Sequence, residues 1–112
     1  MSAIKGLLGV TEEIVLTGIA DLEEDAYGLR LHEWLEQVTG KGYSVGTIYT
    51  TASRLETRGY VRSEERIVEN RARRYYRIEA EGRHALREMD ELRRRMAAAR
   101  HQLPNAQPEV GR

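Results

Sequence analysis

The residues with the clearest chemical purpose sit in one stretch, Ser44 to Val61. Stepping about 100° per residue along a helix places Gly46, Thr47, Thr50 and Arg54 on one side. Two hydroxyls that donate and accept, one guanidinium fork and no long carboxylate make that side slim and polar. Such a surface suits the DNA major groove, where hydroxyls and arginine reach base edges and the thymine methyl takes an apolar contact. In a chain that is 32% charged, an ordinary solvent face would carry Glu and Lys there.

Other chemistries fail on spacing. His32-Glu33 begins like a zinc-protease helix, but four positions after His32 stands Glu36 rather than a second histidine. Gly40-Lys41-Gly42 lacks the earlier glycine and the following hydroxyl of a phosphate-cradling loop. With zero cysteines there is neither a thiolate ligand nor a sulfur nucleophile. His32, His84 and His101 are scattered and read as surface histidines. No catalytic residue, metal or cofactor is expected.

The elements that must position the stretch can be read on either side of it. Ser44 is a good N-cap for its helix, and Gly59 a good stop. Val45, Ile48, Ala52 and Leu55 form the apolar face turned inward. Residues 11–22 read as a first helix with Thr11 as cap and Glu12 and Glu13 at its positive end. Ile14, Val15, Gly18, Ile19 and Leu22 make a stripe that Leu16 widens beyond what a single neighbour requires. It packs on its own core alone, or on that core and a second subunit. Asp21–Asp25 is a charged turn, and Tyr27, Leu31, Trp34, Leu35 and Val38 mark a second amphipathic helix from about Tyr27 to Val38. Gly28 near its start would let another backbone come close. Residues 39–43 turn into the Ser44 helix, and Lys41 there meets a phosphate or is simply solvated.

After Gly59 the period changes to two: Val61–Val68 and Arg73–Ile78 read as strands about a tip at Glu69–Ala72. Arg74, Tyr76 and Ile78 share one strand face, and Arg73, Tyr75 and Arg77 the other. From Glu79–Glu81 a last helix runs on, with Ala85, Met89, Leu92, Met96, Ala99 and Leu103 stepping alternately by four and three. That a/d seam wants another helix beside it, either the first helix of its own chain or a partner subunit. Pro104–Arg112 reads as a frayed tail.

At 112 residues the chain is one domain for which a partner subunit would help. Its net charge is +0, yet acids crowd the front half and arginines the part after Arg54, which permits a local nucleic-acid surface. Met1–Val10 is too short an apolar run for a secretory signal, and no stretch is long enough to cross a bilayer, so a soluble cytoplasmic protein is expected.

Ser44–Val61 resembles the recognition helix of the PadR-like winged helix-turn-helix regulators. The matching residues are Ser44, Gly46, Thr47, Ile48, Tyr49, then Arg54, Leu55, Glu56, then Gly59 and Val61. Asp25-Ala26-Tyr27-Gly28 before it, and Arg73–Ile78 with Glu81-Gly82 after it, extend the likeness over about residues 10 to 85. The chain departs from that pattern at the tip, with Asn70, Arg71 and Ala72 where many relatives carry Gly and Pro, so a less sharply turned wing is expected. It departs again at Glu79-Ala80, where relatives often have Thr-Pro.

The resemblance implies a mainly α fold with a small β-hairpin wing. Residues 1–78 would be a winged helix-turn-helix DNA-binding domain, 79–103 a C-terminal dimerisation helix and 104–112 a flexible tail. It implies a homodimeric, sequence-specific regulator of transcription, a repressor rather than an activator, reading a pseudo-palindromic operator. Thr47, Thr50 and Arg54 would read bases, and Tyr49 would reach a phosphate or pack. Ser44, Lys41, Arg71, Arg73 and Arg74 would hold the backbone. Leu16, Ala85, Met89, Leu92, Met96 and Leu103 would form the dimer interface. Some relatives release DNA on binding planar aromatic compounds near that interface, and Trp34 could line such a pocket or belong to the core. A protein-interaction module with the same fold but no DNA is the remaining alternative.

Overall fold

The computed structural model describes residues 2–102, apart from the side chain of His101. Helix α1 (Val10–Leu22) leads through a 3-10 turn, Glu23–Asp25, to α2 (Gly28–Thr39) and then α3 (Val45–Thr57). Strands β1 (Val61–Val68) and β2 (Arg71–Ile78) pair antiparallel, and α4 (Ala80–Gln102) follows. Leu103 and the 104–112 tail lie outside the described residues.

The helix starts follow from local chemistry. Gly9, not Thr11, caps α1: its N–H donates to the Glu12 carboxylate at 2.9 Å, and Thr11 lies inside the helix. Ser44 caps α3, its hydroxyl accepting from the Thr47 N–H at 3.0 Å. At the other end Gly59 takes φ 81°, and Gly59 and Tyr60 donate to Glu56 and Leu55, a Schellman closure that only a residue at ease in the left-handed region permits cheaply.

Val15, Leu16 and Ile19 of α1, Leu31 and Leu35 of α2, Ile48, Ala52 and Leu55 of α3, and Tyr76 of β2 form one core. Two expectations change there. Val45 is 44% exposed, and Thr51 takes its place on the buried face of α3. Leu16 is 0% exposed inside its own chain, because α1 is covered by α2, α3, β2 and α4 together. It therefore has no surface to give to a second subunit.

The hairpin is tighter than its composition suggests. Its turn is two residues, Glu69 and Asn70, at φ 51° and 61°, so Arg71 and Ala72 belong to β2 rather than to the tip. Two positive φ values match the twist of the strands, and asparagine tolerates this conformation where glycine is absent. A third piece of chain joins the sheet: Tyr27 bridges Tyr75, and the Tyr76 N–H donates to the Ala26 carbonyl at 2.8 Å. Both Tyr75 and Tyr76 are thereby buried, one on each face.

Helix α4 starts against the sheet and leaves the body. Ala85 is 3% exposed and closed within its own chain, Met89 and Leu92 are half-buried, and Met96 is 52% exposed. The radius of gyration is 17.5 Å, with extents of 65 × 31 × 19 Å. A compact chain of this length would measure about 13 Å, so the excess belongs to the protruding helix.

Candidate nucleic-acid interface

Helix α3 turns Ile48, Thr51, Ala52 and Leu55 inward, which leaves Gly46, Thr50, Ser53 and Thr57 at the centre of the outward side. Thr47 and Arg54 flank them, and all six are exposed. Ser53 and Thr57 are additions to the expected set, and the same 100° stepping that picks out Thr50 reaches them. The Thr47 hydroxyl accepts from Ser44 Oγ at 2.9 Å and keeps its own proton free to donate outward. Among the described residues Arg54 has no carboxylate within 4.0 Å, so its guanidinium is uncommitted. Lys41, exposed in the turn before α3, is equally unpaired among those residues. Among the described residues no other element covers this side.

Tyr49 stands at the edge. It is 37% exposed, its ring centroid is 6.4 Å from that of Tyr76, and its hydroxyl lies over Gly28. A Cβ on Gly28 would fall 2.3 Å from that hydroxyl. Gly28 therefore makes room for the Tyr49 side chain, not for another backbone. Tyr49 packs with most of its ring and shows the remainder to solvent.

The wing separates the three arginines expected to act together. Cross-strand partners share a face, and the register pairs Glu65 with Arg74 but Arg66 with Arg73 and Val68 with Arg71. Arg74 lies on the face that continues toward α3. Its Nη1 donates to Ser63 Oγ at 3.0 Å, and that hydroxyl is 3.0 and 3.1 Å from the Glu56 carboxylate oxygens. This chain ties the wing root to the end of α3.

Arg71 and Arg73 lie on the opposite face with Arg62, Arg66, Tyr75 and Arg77. Opposed arginines repel, and aromatic rings relieve it. Arg73 stands 4.5 Å over the Tyr27 ring and Arg66 4.3 Å over Tyr75, while the two tyrosines are 5.2 Å apart. A hydrogen bond from Arg66, and then its charge, hold the Glu64 carboxyl below the usual range. From Val61 to Ile78 there are six arginines against three glutamates, so the wing is basic in a chain of zero net charge. Arg62 and Arg66 join the basic face in addition to the expected arginines; alternation along β1 and the pairing register place them there.

Trp34 is bound into its own chain. Its Nε1 donates to Asp21 at 2.8 Å, and its ring covers Gly18, where a Cβ would be 2.9 Å away. One edge of the ring borders a cleft of about 270 Å³ with Val10, Ile14, Val38 and Arg93. No helix among the described residues is long and apolar enough to cross a membrane. Among the same residues no three His, Asp or Glu gather as a metal site would require.

Three helices, a corner of short turn between α2 and α3, and a two-stranded wing define a winged helix-turn-helix protein. The chain belongs to the transcriptional regulator PadR-like family, whose sequence profile it matches over residues 15–88. It is 50% identical over 58 residues to the transcriptional regulator Rv3488 of Mycobacterium tuberculosis, a match covering 49% of this chain and 54% of that protein. The chain thus spans about half the length of this curated relative. Among solved structures, a PadR family transcriptional regulator from Eggerthella lenta superposes with TM-score 0.66 at 27% identity, covering 87% of this chain and 86% of that one. A transcriptional regulator from Clostridium thermocellum superposes with TM-score 0.65 at 25% identity, covering 83% and 91%.

Proposed function

We propose that this member of the family binds double-stranded DNA as a homodimer and represses transcription. The observation that carries the reading is the outward side of α3, where short hydroxyls and an uncommitted Arg54 stand clear of other protein. Thr47, Thr50, Ser53 and Arg54 reach base edges, and the exposed Val45 offers an apolar contact for a thymine methyl. Ser44 and Lys41 beside α3, with Arg74 from one face of the wing and Arg71 and Arg73 from the other, grip phosphates and fix register without reading sequence.

Dimerisation is supported by what α4 leaves open. Leu92 and Met96 continue the seam past the chain's own core, and the exposed Val10 and Val38 share a cleft with Arg93 of α4. A second α4 laid there covers them, with Met89, Leu92 and Met96 in the seam; residues 1–78 then form the DNA-reading unit. A two-fold dimer reads half-sites roughly 34 Å apart.

The test is a gel shift on the promoter region of its own gene at several salt concentrations. Arg74→Ala weakens binding to all duplexes and flattens the salt dependence by about one unit of slope. Thr50→Ala changes preference between duplexes. An Arg74 variant with the parental slope, or equal losses on every duplex for Thr50→Ala, contradicts those roles. A neutral-charge protein that binds no duplex at low salt is instead an interaction module.

A small aromatic effector is the second reading, favoured by the Trp34 edge in the cleft beside α4. At about 270 Å³ that cleft is small for a ligand site in one chain and would need the partner's helix as a further wall. Saturable quenching of Trp34 fluorescence by a planar aromatic acid tests it; silence across a broad panel rejects it.

A further inference from the structure

Two adjacent carboxylates in the first turn of α1 hold different helices. Glu12 faces the end of α3: its Oε1 and Oε2 accept from Arg58 Nη1 at 3.0 and 3.2 Å, while Oε1 also caps α1 through the Gly9 N–H. The same guanidinium lies 4.8 Å from the Tyr60 ring centroid, and its Nη2 is 3.3 Å from the Tyr60 hydroxyl and 3.4 Å from the Leu7 carbonyl. Glu13 turns the other way and pairs with Arg93 of α4. The two carboxylate side chains are only 20% and 17% exposed. Consecutive helical residues point about 100° apart, so one turn of α1 is fastened to α3 on one side and to α4 on the other.

We propose that Glu12 and Glu13 are positioning residues that set the angle between α3 and α4. On this account Arg58, although it stands at the end of the DNA-facing helix, orients that helix rather than touching DNA. The proposal rests on the DNA-binding reading above. Arg58 stands close to the DNA-facing side, but both of its terminal nitrogens are used inside the chain, whereas Arg54 one turn earlier is uncommitted. If two α4 helices pair, the separation of the two α3 helices is set through this joint in each subunit. A small tilt at the joint then misaligns both half-sites.

The experiment uses full-length E12Q, E13Q, R58Q, R58K and the E12Q/R58Q double variant. Each is titrated with the promoter duplex of its own gene at three salt concentrations. Amide hydrogen exchange and thermal melting are followed in the DNA-free proteins. E12Q is expected to weaken binding about three- to tenfold, as coupled contact residues do, with an unchanged salt slope. Simple removal of a negative charge beside a DNA-binding face would strengthen binding, so the sign itself discriminates. R58K is expected to lose as much as R58Q, because one ammonium cannot take the place of Nη1 on the Glu12 carboxylate and of Nη2 on the Tyr60 hydroxyl and the Leu7 carbonyl together. The double variant is expected to be no worse than R58Q. In the free protein, exchange is expected to rise in the last turn of α3 for E12Q and R58K, and in α4 for E13Q, with cooperative melting retained.

Tighter or unchanged binding by E12Q, or R58K like the parent while R58Q alone lowers the slope, would overturn the proposal and make Arg58 a phosphate contact. Unchanged α3 exchange in E12Q would overturn the joint itself. Raised exchange in a protein that binds no duplex would reject the DNA reading and leave the joint standing. Should E12Q not fold, E13Q and R58K carry the same comparison.

Discussion

Gly28 opens α2 directly under the Tyr49 side chain, and Gly28→Ala tests how α3 is seated. The added Cβ would lie 2.3 Å from the Tyr49 hydroxyl and 2.8 Å from Cζ, so the ring must move. The Gly28 backbone is not in the left-handed region, so alanine alone would stabilise by roughly 0.4–1 kcal/mol through the unfolded chain. Displacing a packed ring costs roughly 1–3 kcal/mol. The clash wins by about 1–2 kcal/mol, and each kcal/mol lowers the melting midpoint of a chain this size by about 4–8 °C. Thermal unfolding of the parent, G28A, Y49A and G28A/Y49A forms a double-mutant cycle. In the Y49A background the obstacle is gone, and G28A is expected to raise the midpoint by a few degrees. Stabilisation by G28A in the parent, or the same loss with and without Tyr49, would refute the reasoning.

Gly82→Ala is expected to cost about 3 kcal/mol or more. Its Cβ would fall 2.3 Å from the Tyr60 carbonyl oxygen and 2.8 Å from Ile78 Cγ1, and a backbone carbonyl cannot swing aside as a side chain can; a parental urea midpoint would contradict this. Burial pushes the Tyr76 phenol up to about 12, against about 10 in an unfolded chain. Below pH 10 both states keep the proton and the contribution is complete. Between about pH 10 and 12 the unfolded chain alone releases it, so stability falls as pH rises, by up to about 2–3 kcal/mol. Tyr76→Phe is expected to remove that part of the alkaline loss in urea titrations, and an unaltered alkaline limb would contradict the burial of the hydroxyl.

What the sequence reveals here depends on how local the cause is. Ser44, Gly59 and the buried steps Ile48, Ala52 and Leu55 act within one helix, and the helix stands where its own residues put it, although Thr51 and not Val45 completes the buried face. Val61–Val68 is equally legible because alternation is a local property. Leu16 fails as an interface residue for the opposite reason: whether a wide apolar helix faces a partner or four neighbours in its own chain is decided by distant elements. Burial of Tyr75 depends on residues 26–27 joining the sheet, which no pattern around Tyr75 announces. The facing of Arg73 and Arg74 follows from alternation, but their surroundings follow from register. Arg58 shows the largest gap. It resembles any solvent arginine until α1 brings Glu12, 46 residues away, against it.

Methylation protection of guanine N7, an atom presented in the major groove, tests the central claim most directly. The parent protein is predicted to protect two clusters of guanines about one helical turn apart in its own promoter. Arg54→Ala is predicted to lose a protected guanine in each cluster while Arg74→Ala retains the pattern at weaker affinity. Footprints with no guanine protected, or a pattern indifferent to Arg54, would contradict the claim that the outward side of α3 enters the major groove.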